Sequence, residues 1–221
     1  MKRLDDQESC VFCPIGIGET RDHVPPRSFF PETLPSSIRL VTVPCCNNCH
    51  KKSQATDSVL RNLFISVRET ESTPHVKQAL VSKRDRSFDR NRSELLRLLQ
   101  IAQQVEVKSP SGVILRDDVA FNFDVPMVHN FVQRICRALL WEEFRLGYFS
   151  GSFGWRMNID LGDLAYAGLA KFGRVRKVHD VFAYGLTRPK EGDPGWVIMN
   201  FYGTLEIFAR VELSETPTNL I

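Results

Sequence analysis

The 221-residue sequence predicts an α+β protein, and three observations carry that prediction. Two C-x₂-C pairs mark residues 1–70 as a small module braced by a metal ion. Apolar residues recurring at 3.6 spacing over 126–144 mark a long amphipathic helix. Apolar runs near the C-terminus, broken by turn signals, mark a mostly antiparallel sheet packed on that helix.

Composition sets the outer bounds. Apolar residues make up 43% and charged residues 25%, as in an ordinary globular chain. Lys plus Arg number 29 against 26 Asp plus Glu, a net charge of +3. That balance excludes a histone-like polycation and leaves room for a local basic patch. No stretch reaches the ~18 apolar residues of a membrane span, so no membrane partner is expected. The start, Met1-Lys2-Arg3-Leu4-Asp5-Asp6, lacks the apolar core of a secretory signal. A cytoplasmic, reducing location is the expectation, and there cysteines read as metal ligands or free thiols rather than disulfides.

Cys10, Cys13, Cys45, Cys46 and Cys49 crowd the N-terminal segment. Cys136 stands alone among Ile135, Leu139 and Leu140 and reads as a small core residue. A C-x₂-C knuckle lets two thiolates of one tight turn reach the same ion. Two knuckles, Cys10/Cys13 and Cys46/Cys49, supply the four ligands of a closed tetrahedral Zn²⁺ site, which is structural rather than catalytic. Positions 14–45 separate them, more than the ~15–20 residues of common zinc ribbons, so the enclosed loop carries something extra. Cys45 is an alternative ligand with a looser spacing. A redox dithiol is the competing reading of either pair.

The loop contains Asp22-His23-Val24-Pro25-Pro26, and His50 follows the second knuckle directly. A carboxylate and an imidazole, Asp22 and His50, can hold a divalent cation and leave positions open. On a strand, adjacent side chains point to opposite sides, so His23 need not bind the ion that Asp22 binds. A neutral imidazole is suited to take a proton from water near neutral pH. Arg21, Arg27, Arg39, Lys51 and Lys52 surround these residues, and Arg21, Arg27, Lys51 and Lys52 are the candidate contacts to a phosphodiester. Gly16 and Gly18 precede no helix signal, so no phosphate-binding glycine loop is expected.

Cys10-x₂-Cys13, Asp22-His23-Val24-Pro25-Pro26 and Val43-Pro44-Cys45-Cys46-Asn47-Asn48-Cys49-His50 together resemble the HNH, or ββα-metal, endonuclease superfamily. The likeness is strongest to members braced by a four-cysteine zinc, and it covers residues ~8–60. It implies that Asp22 and His50 bind the catalytic cation, Mg²⁺ or another divalent ion, and that His23 is the general base. It also implies cleavage of nucleic acid, with DNA the expected substrate, to leave a 5′-phosphate. The family often has Asn where this chain has His50. The Asn that gives the motif its middle letter is absent, since Ser36-Ser37-Ile38-Arg39-Leu40 contains none. The alternative is therefore a catalytically decayed, zinc-stabilised nucleic-acid-binding module. A thiol oxidoreductase is a third reading, without the βαβ pattern that usually accompanies it.

Further along, Thr56 or Asp57 can cap a helix over about 58–68, with Asp57 a candidate outer-sphere residue. Lys83, Arg84, Arg86, Arg90 and Arg92 make 71–92 read as a basic linker ahead of a second domain, 93–221. That domain begins with a helix from Asn91 or Ser93. A hairpin then turns at Ser109-Pro110-Ser111-Gly112, and a strand follows over 120–123. The long helix is expected to run from about Pro126 to Phe144, with Gly147 as the residue that terminates it. A shorter helix is expected over 160–172, then strands over 178–186, 196–202 and 204–213. Arg174, Arg176 and Lys177 form a second basic cluster, while Trp155, Trp196, Phe201 and Tyr202 read as core. His75, His129 and His179 have no companion ligands. The accessory domain has no assigned ligand and is the expected route to any homo-oligomer.

Overall fold

The computed structural model describes residues 8–71, 73–122, 124–159 and 174–214. The helix expected over 160–172 lies outside the described residues. The described elements are α+β with antiparallel sheets, and no described helix is long and apolar enough to cross a membrane.

A short hairpin comes first. Strands β1 (Thr20–Val24) and β2 (Val41–Cys45) run antiparallel, with Asp22 opposite Val43 and His23 opposite Thr42. Pro25 and Pro26 follow β1 directly, and a 3₁₀ turn over Arg27–Phe29 leads into the excursion between the strands. Phe29 and Phe30 are fully buried and hold that excursion down.

Helix α1 (Asn47–Ile65) begins inside the second knuckle, well before the expected start near Ser58. Cys46 is its N-cap, and the Sγ accepts from the Cys49 N–H at 3.4 Å. The first half of α1 shows no apolar period because it faces a polar site; its second half, Leu60–Ile65, is wholly buried. Thr56 does not cap: its hydroxyl donates to the Ser53 carbonyl at 3.0 Å within the helix.

The basic stretch is helical. Helices α2 (Arg68–Glu71), α3 (Pro74–Ala79), α4 (Val81–Arg90) and α5 (Arg92–Gln100) follow in close succession. Its cations are partly committed: Arg84 pairs with Glu71 and Asp85, Arg86 with Glu32, and Lys83 donates to the Phe30 carbonyl. The hairpin of β3 (Ala102–Lys108) and β4 (Ile114–Phe121) turns through Gly112, at φ 86°, and takes in Ala120 and Phe121 of the strand expected at 120–123, whose last residue lies outside the described ones.

Helix α6 (Val125–Phe144) buries Val128, Phe131, Val132, Ile135, Cys136, Leu139 and Leu140, as the 3.6 spacing predicts. It ends at Phe144, the last residue of the expected period. Arg145, not Gly147, takes the left-handed conformation at φ 53° and donates its N–H to the Trp141 carbonyl. Five strands then form one antiparallel sheet: β5 (Gly151–Ile159), β6 (Arg174–Val178), β7 (Phe182–Leu186), β8 (Gly195–Phe201) and β9 (Leu205–Leu213), ordered β5-β9-β8-β7-β6. Strands β5 and β6 were not expected. Glycines interrupt the first, and charges dominate the second. On β6, Arg176 pairs with Glu143 at 2.8 Å, and just past it Lys177 and Asp180 stand 2.7 Å apart.

One core joins these parts. Phe29 of the 3₁₀ turn, Phe64 of α1, Phe131 of α6 and Phe201 of β8 all touch one another, with centroids 5.3–6.0 Å apart. Offset and edge contacts of this kind add about 0.5–1.5 kcal/mol per pair beyond area burial. Tyr202 also donates from its buried hydroxyl to the Phe29 carbonyl at 3.1 Å. The β1–β2 hairpin is thus seated on α1 and α6 by side chains from both halves of the chain.

Candidate metal centre

Two groups of ligating side chains lie side by side. The sulfurs of Cys10, Cys13, Cys46 and Cys49 all fall within 4.8 Å of one another. Backbone geometry builds the pocket: Cys10 N–H donates to the Gly16 carbonyl at 2.8 Å, and Val11 N–H to the Pro44 carbonyl at 3.1 Å. The Phe12 N–H points at the Cys10 sulfur, 3.4 Å away, as the Cys49 N–H does at Cys46. Cys13 and Cys46 sulfurs stand 3.7 Å apart. Tetrahedral zinc at ~2.3 Å from each sulfur spaces them at ~3.8 Å. A disulfide would need ~2.05 Å, and all four cysteines are free. The Cys49 N–H draws the Cys46 thiol down to about 7, while burial raises Cys13 and Cys49. The four cysteines can therefore hold an ion such as zinc.

Gly16, set aside in the sequence, matters here. A Cβ at this position would lie 2.7 Å from the Cys13 sulfur and 2.9 Å from the Cys46 sulfur. Only glycine lets the knuckle turn pass this close to the thiols.

The second group is Asp22, Cys45 and His50, again within 4.8 Å. Asp22 is buried on β1, Cys45 ends β2, and His50 sits in the first turn of α1. Cys45 thus belongs beside Asp22 rather than among the zinc thiols. Its thiol donates to the Cys46 carbonyl at 3.3 Å, and burial together with the Asp22 charge pushes its pKa well up. Asp22 Oδ1 and His50 Nδ1 are 3.5 Å apart, too long for a good hydrogen bond. The Nδ1 is buried and has no hydrogen-bond partner. Two ligands at ~2.1 Å from one cation stand ~3.0–3.4 Å apart, so the pair fits a shared divalent ion. The Gln54 amide lies 2.9 Å from His50 Nε2. Turned to accept from Nε2–H, it leaves the Nδ1 lone pair facing Asp22.

Arg134 of α6 completes the arrangement. Its Nη1 donates to Asp22 Oδ2 at 3.3 Å, and its Nη2 pairs with Asp57 Oδ1. Burial raises Asp57 to about 6 despite the Arg134 charge that opposes it. The guanidinium leaves Asp22 one oxygen for His50 and any ion. Sequence reading missed Arg134 because nothing in its neighbourhood differs from an ordinary helix position, and Asp22 is 112 residues away.

His23 projects from the same hairpin, with the opposite alternation from Asp22. It is half-buried and lines an open cleft with Arg27, Ser36 and Arg39 of the excursion. Burial lowers its pKa, Asp22 opposes that and Arg27 adds to it, so the balance favours the neutral imidazole. Arg27 is spent largely on structure: its guanidinium donates to the Pro31 and Glu32 carbonyls at 2.6 and 2.7 Å. Arg21 pairs with Glu8 at 2.8 Å and reaches the Thr42 carbonyl. Lys51 and Lys52 are exposed on α1.

Comparison of the chain with protein-family models, curated proteins and solved structures finds no match.

Proposed function

We propose that the chain is a metal-dependent endonuclease of the HNH, ββα-metal type, which hydrolyses phosphodiester bonds of nucleic acid, DNA foremost. One observation supports this above the others. Asp22 and the unpartnered His50 Nδ1 meet at 3.5 Å, on a hairpin and helix whose knuckle cysteines converge alongside.

In this reading Cys10, Cys13, Cys46 and Cys49 hold structural Zn²⁺ and pin the first knuckle to the start of α1. Asp22 and His50 hold the catalytic cation, Mg²⁺ or a related ion. That cation would offset charge building on the phosphate and the departing oxygen. His23, neutral and in the open cleft, takes the proton of the attacking water. Arg134 keeps the Asp22 carboxylate turned towards His50. Arg21, Arg27, Lys51 and Lys52 line the approach, although Arg21 and Arg27 also serve the protein's own carbonyls and Glu8. Exposed Val113, Ile114, Leu115 and Val119 on β4 and its turn supply an apolar surface for the expected self-association.

The test is cleavage of plasmid DNA in Mg²⁺ or Mn²⁺ by the wild-type chain and His23→Ala. Wild-type nicking, reduced by about 10²–10⁴ in a folded variant, supports the reading. Equal activity removes His23 from the chemistry.

A second reading is also supported by a specific contact. Arg134 puts a positive charge against Asp22, and residues 36–40 carry no Asn. Both favour a decayed site in a nucleic-acid-binding module. A chain that binds DNA and never nicks it, in Mg²⁺, Mn²⁺, Ni²⁺ or Co²⁺, would be that module.

A further inference from the structure

Where two helices pack, the facing stripes are ordinarily apolar. Phe64 and Phe131 make such a contact between α1 and α6, but nearer the start of α1 polar side chains face each other instead. Lys52 and Ser53 on α1 face Asn130, Gln133, Arg134 and Arg137 on α6 across a cleft. No carboxylate is among the residues that line it.

Arg137 is the anomaly. It is only 7% exposed, yet among the described residues no carboxylate pairs with it, and its Nη1 has no acceptor. The guanidinium lies against three rings, 4.5 Å from the Tyr148 centroid, 5.2 Å from Phe149 and 5.4 Å from Phe153. Aromatic faces offset part of the cost of burying a cation. They cannot satisfy a directional donor, and a buried donor left unmet is costly. Arg134, one turn away, is different, because Asp22 and Asp57 neutralise it.

We propose that this cleft is a phosphate subsite that grips the backbone of the nucleic acid next to the candidate metal centre. The proposal rests on nucleic-acid binding, which both readings above share. Guanidinium and ammonium donors without a competing carboxylate suit a phosphodiester oxygen. Asn130 and Gln133 add neutral donors. Cys49 also lines the cleft and is the neighbour of His50, so a phosphate held here is close along the strand to one at Asp22 and His50.

The experiment uses the full chain without added divalent ion and a fluorescently labelled DNA duplex, with anisotropy followed over a salt series. Lys52→Glu and Arg137→Met should each weaken binding by roughly tenfold and lower the slope of log Kd against log salt by about one. Lys190→Glu, exposed between β7 and β8 and outside the cleft, measures charge reversal alone and should have a smaller effect. If Arg137→Met melts early, the exposed Asn130→Asp carries the same test by placing a carboxylate in the cleft. Wild-type affinity and slope in both Lys52→Glu and Asn130→Asp would overturn the proposal. So would thermal protection by inorganic phosphate that Lys52→Glu abolishes while DNA binding is unchanged, which would assign the cleft to a small anion. Plasmid cleavage in Mg²⁺ separates the two levels. Cleft-dependent binding without nicking keeps the subsite and ends the nuclease reading; nicking with cleft-independent binding does the reverse.

Discussion

The two clusters of ligating side chains share a hairpin and the start of α1, but they are built differently. The cysteine cluster is local at both ends. Each half comes from one tight turn, backbone N–H groups stabilise its sulfurs, and all four ligands lie between Cys10 and Cys49. The Asp22–His50 cluster is assembled from afar. Its carboxylate is held by Arg134 of α6, which also ties in Asp57, and α6 is itself fixed by the ring cluster of Phe29, Phe64, Phe131 and Phe201. A closed set of like ligands needs only a turn. A mixed and open set needs a rigid frame to hold unlike groups at the right separation.

That contrast can be broken most severely at the cysteines. Mass spectrometry of the native chain should find one zinc per molecule. Chelation or Cys46→Ser should unfold the hairpin and the first turns of α1, because structural zinc contributes on the order of 10 kcal/mol, comparable with the stability of a whole domain. An unchanged melting curve after complete chelation would show that the cysteines brace nothing.

Arg134→Met comes next. It leaves Asp22 and Asp57 as buried carboxylates without their shared cation, at a cost of about 3–5 kcal/mol in chemical denaturation. Adding Asp57→Asn should recover part of that loss. Zinc content should stay at the wild-type level in both, since the cysteine cluster does not depend on α6. Zinc loss in Arg134→Met would erase the distinction between the clusters.

The smallest effect is expected at Gly16. Gly16→Ala forces a methyl group onto the Cys13 and Cys46 sulfurs and should weaken zinc binding by roughly tenfold in a competition assay. On the proposed nuclease reading, DNA cleavage at saturating zinc should be unaffected. A cleavage defect that excess zinc cannot repair would mean that the knuckle reaches the second cluster directly.

The same division governs what could be read from the chain. Cys10, Cys13, Cys46 and Cys49 were legible because metal knuckles are written in spacings of three residues. The strand under Asp22 and His23 was legible, though not its pairing with β2, and α6 was legible from its period. The early start of α1 was not, because residues 47–58 face a polar cleft and carry no apolar stripe. Strand β5 was hidden by its glycines, and β6 by its charges. Cys45 could be placed only once β2 and α1 were seen to meet at the knuckle.

By itself, then, the sequence determined an α+β chain with two converging cysteine knuckles near its N-terminus and a sheet packed on a long helix. Those features follow from local geometry and from periodic burial, which repeat within a few residues. Tertiary structure alone decided that Arg134 would clasp Asp22 and Asp57, that His50 Nδ1 would face a carboxylate, and that Arg137 would lie buried with no carboxylate paired to it among the described residues. Each is a contact between side chains remote in sequence, set by how α6 packs on the hairpin and α1, and no local pattern encodes that packing.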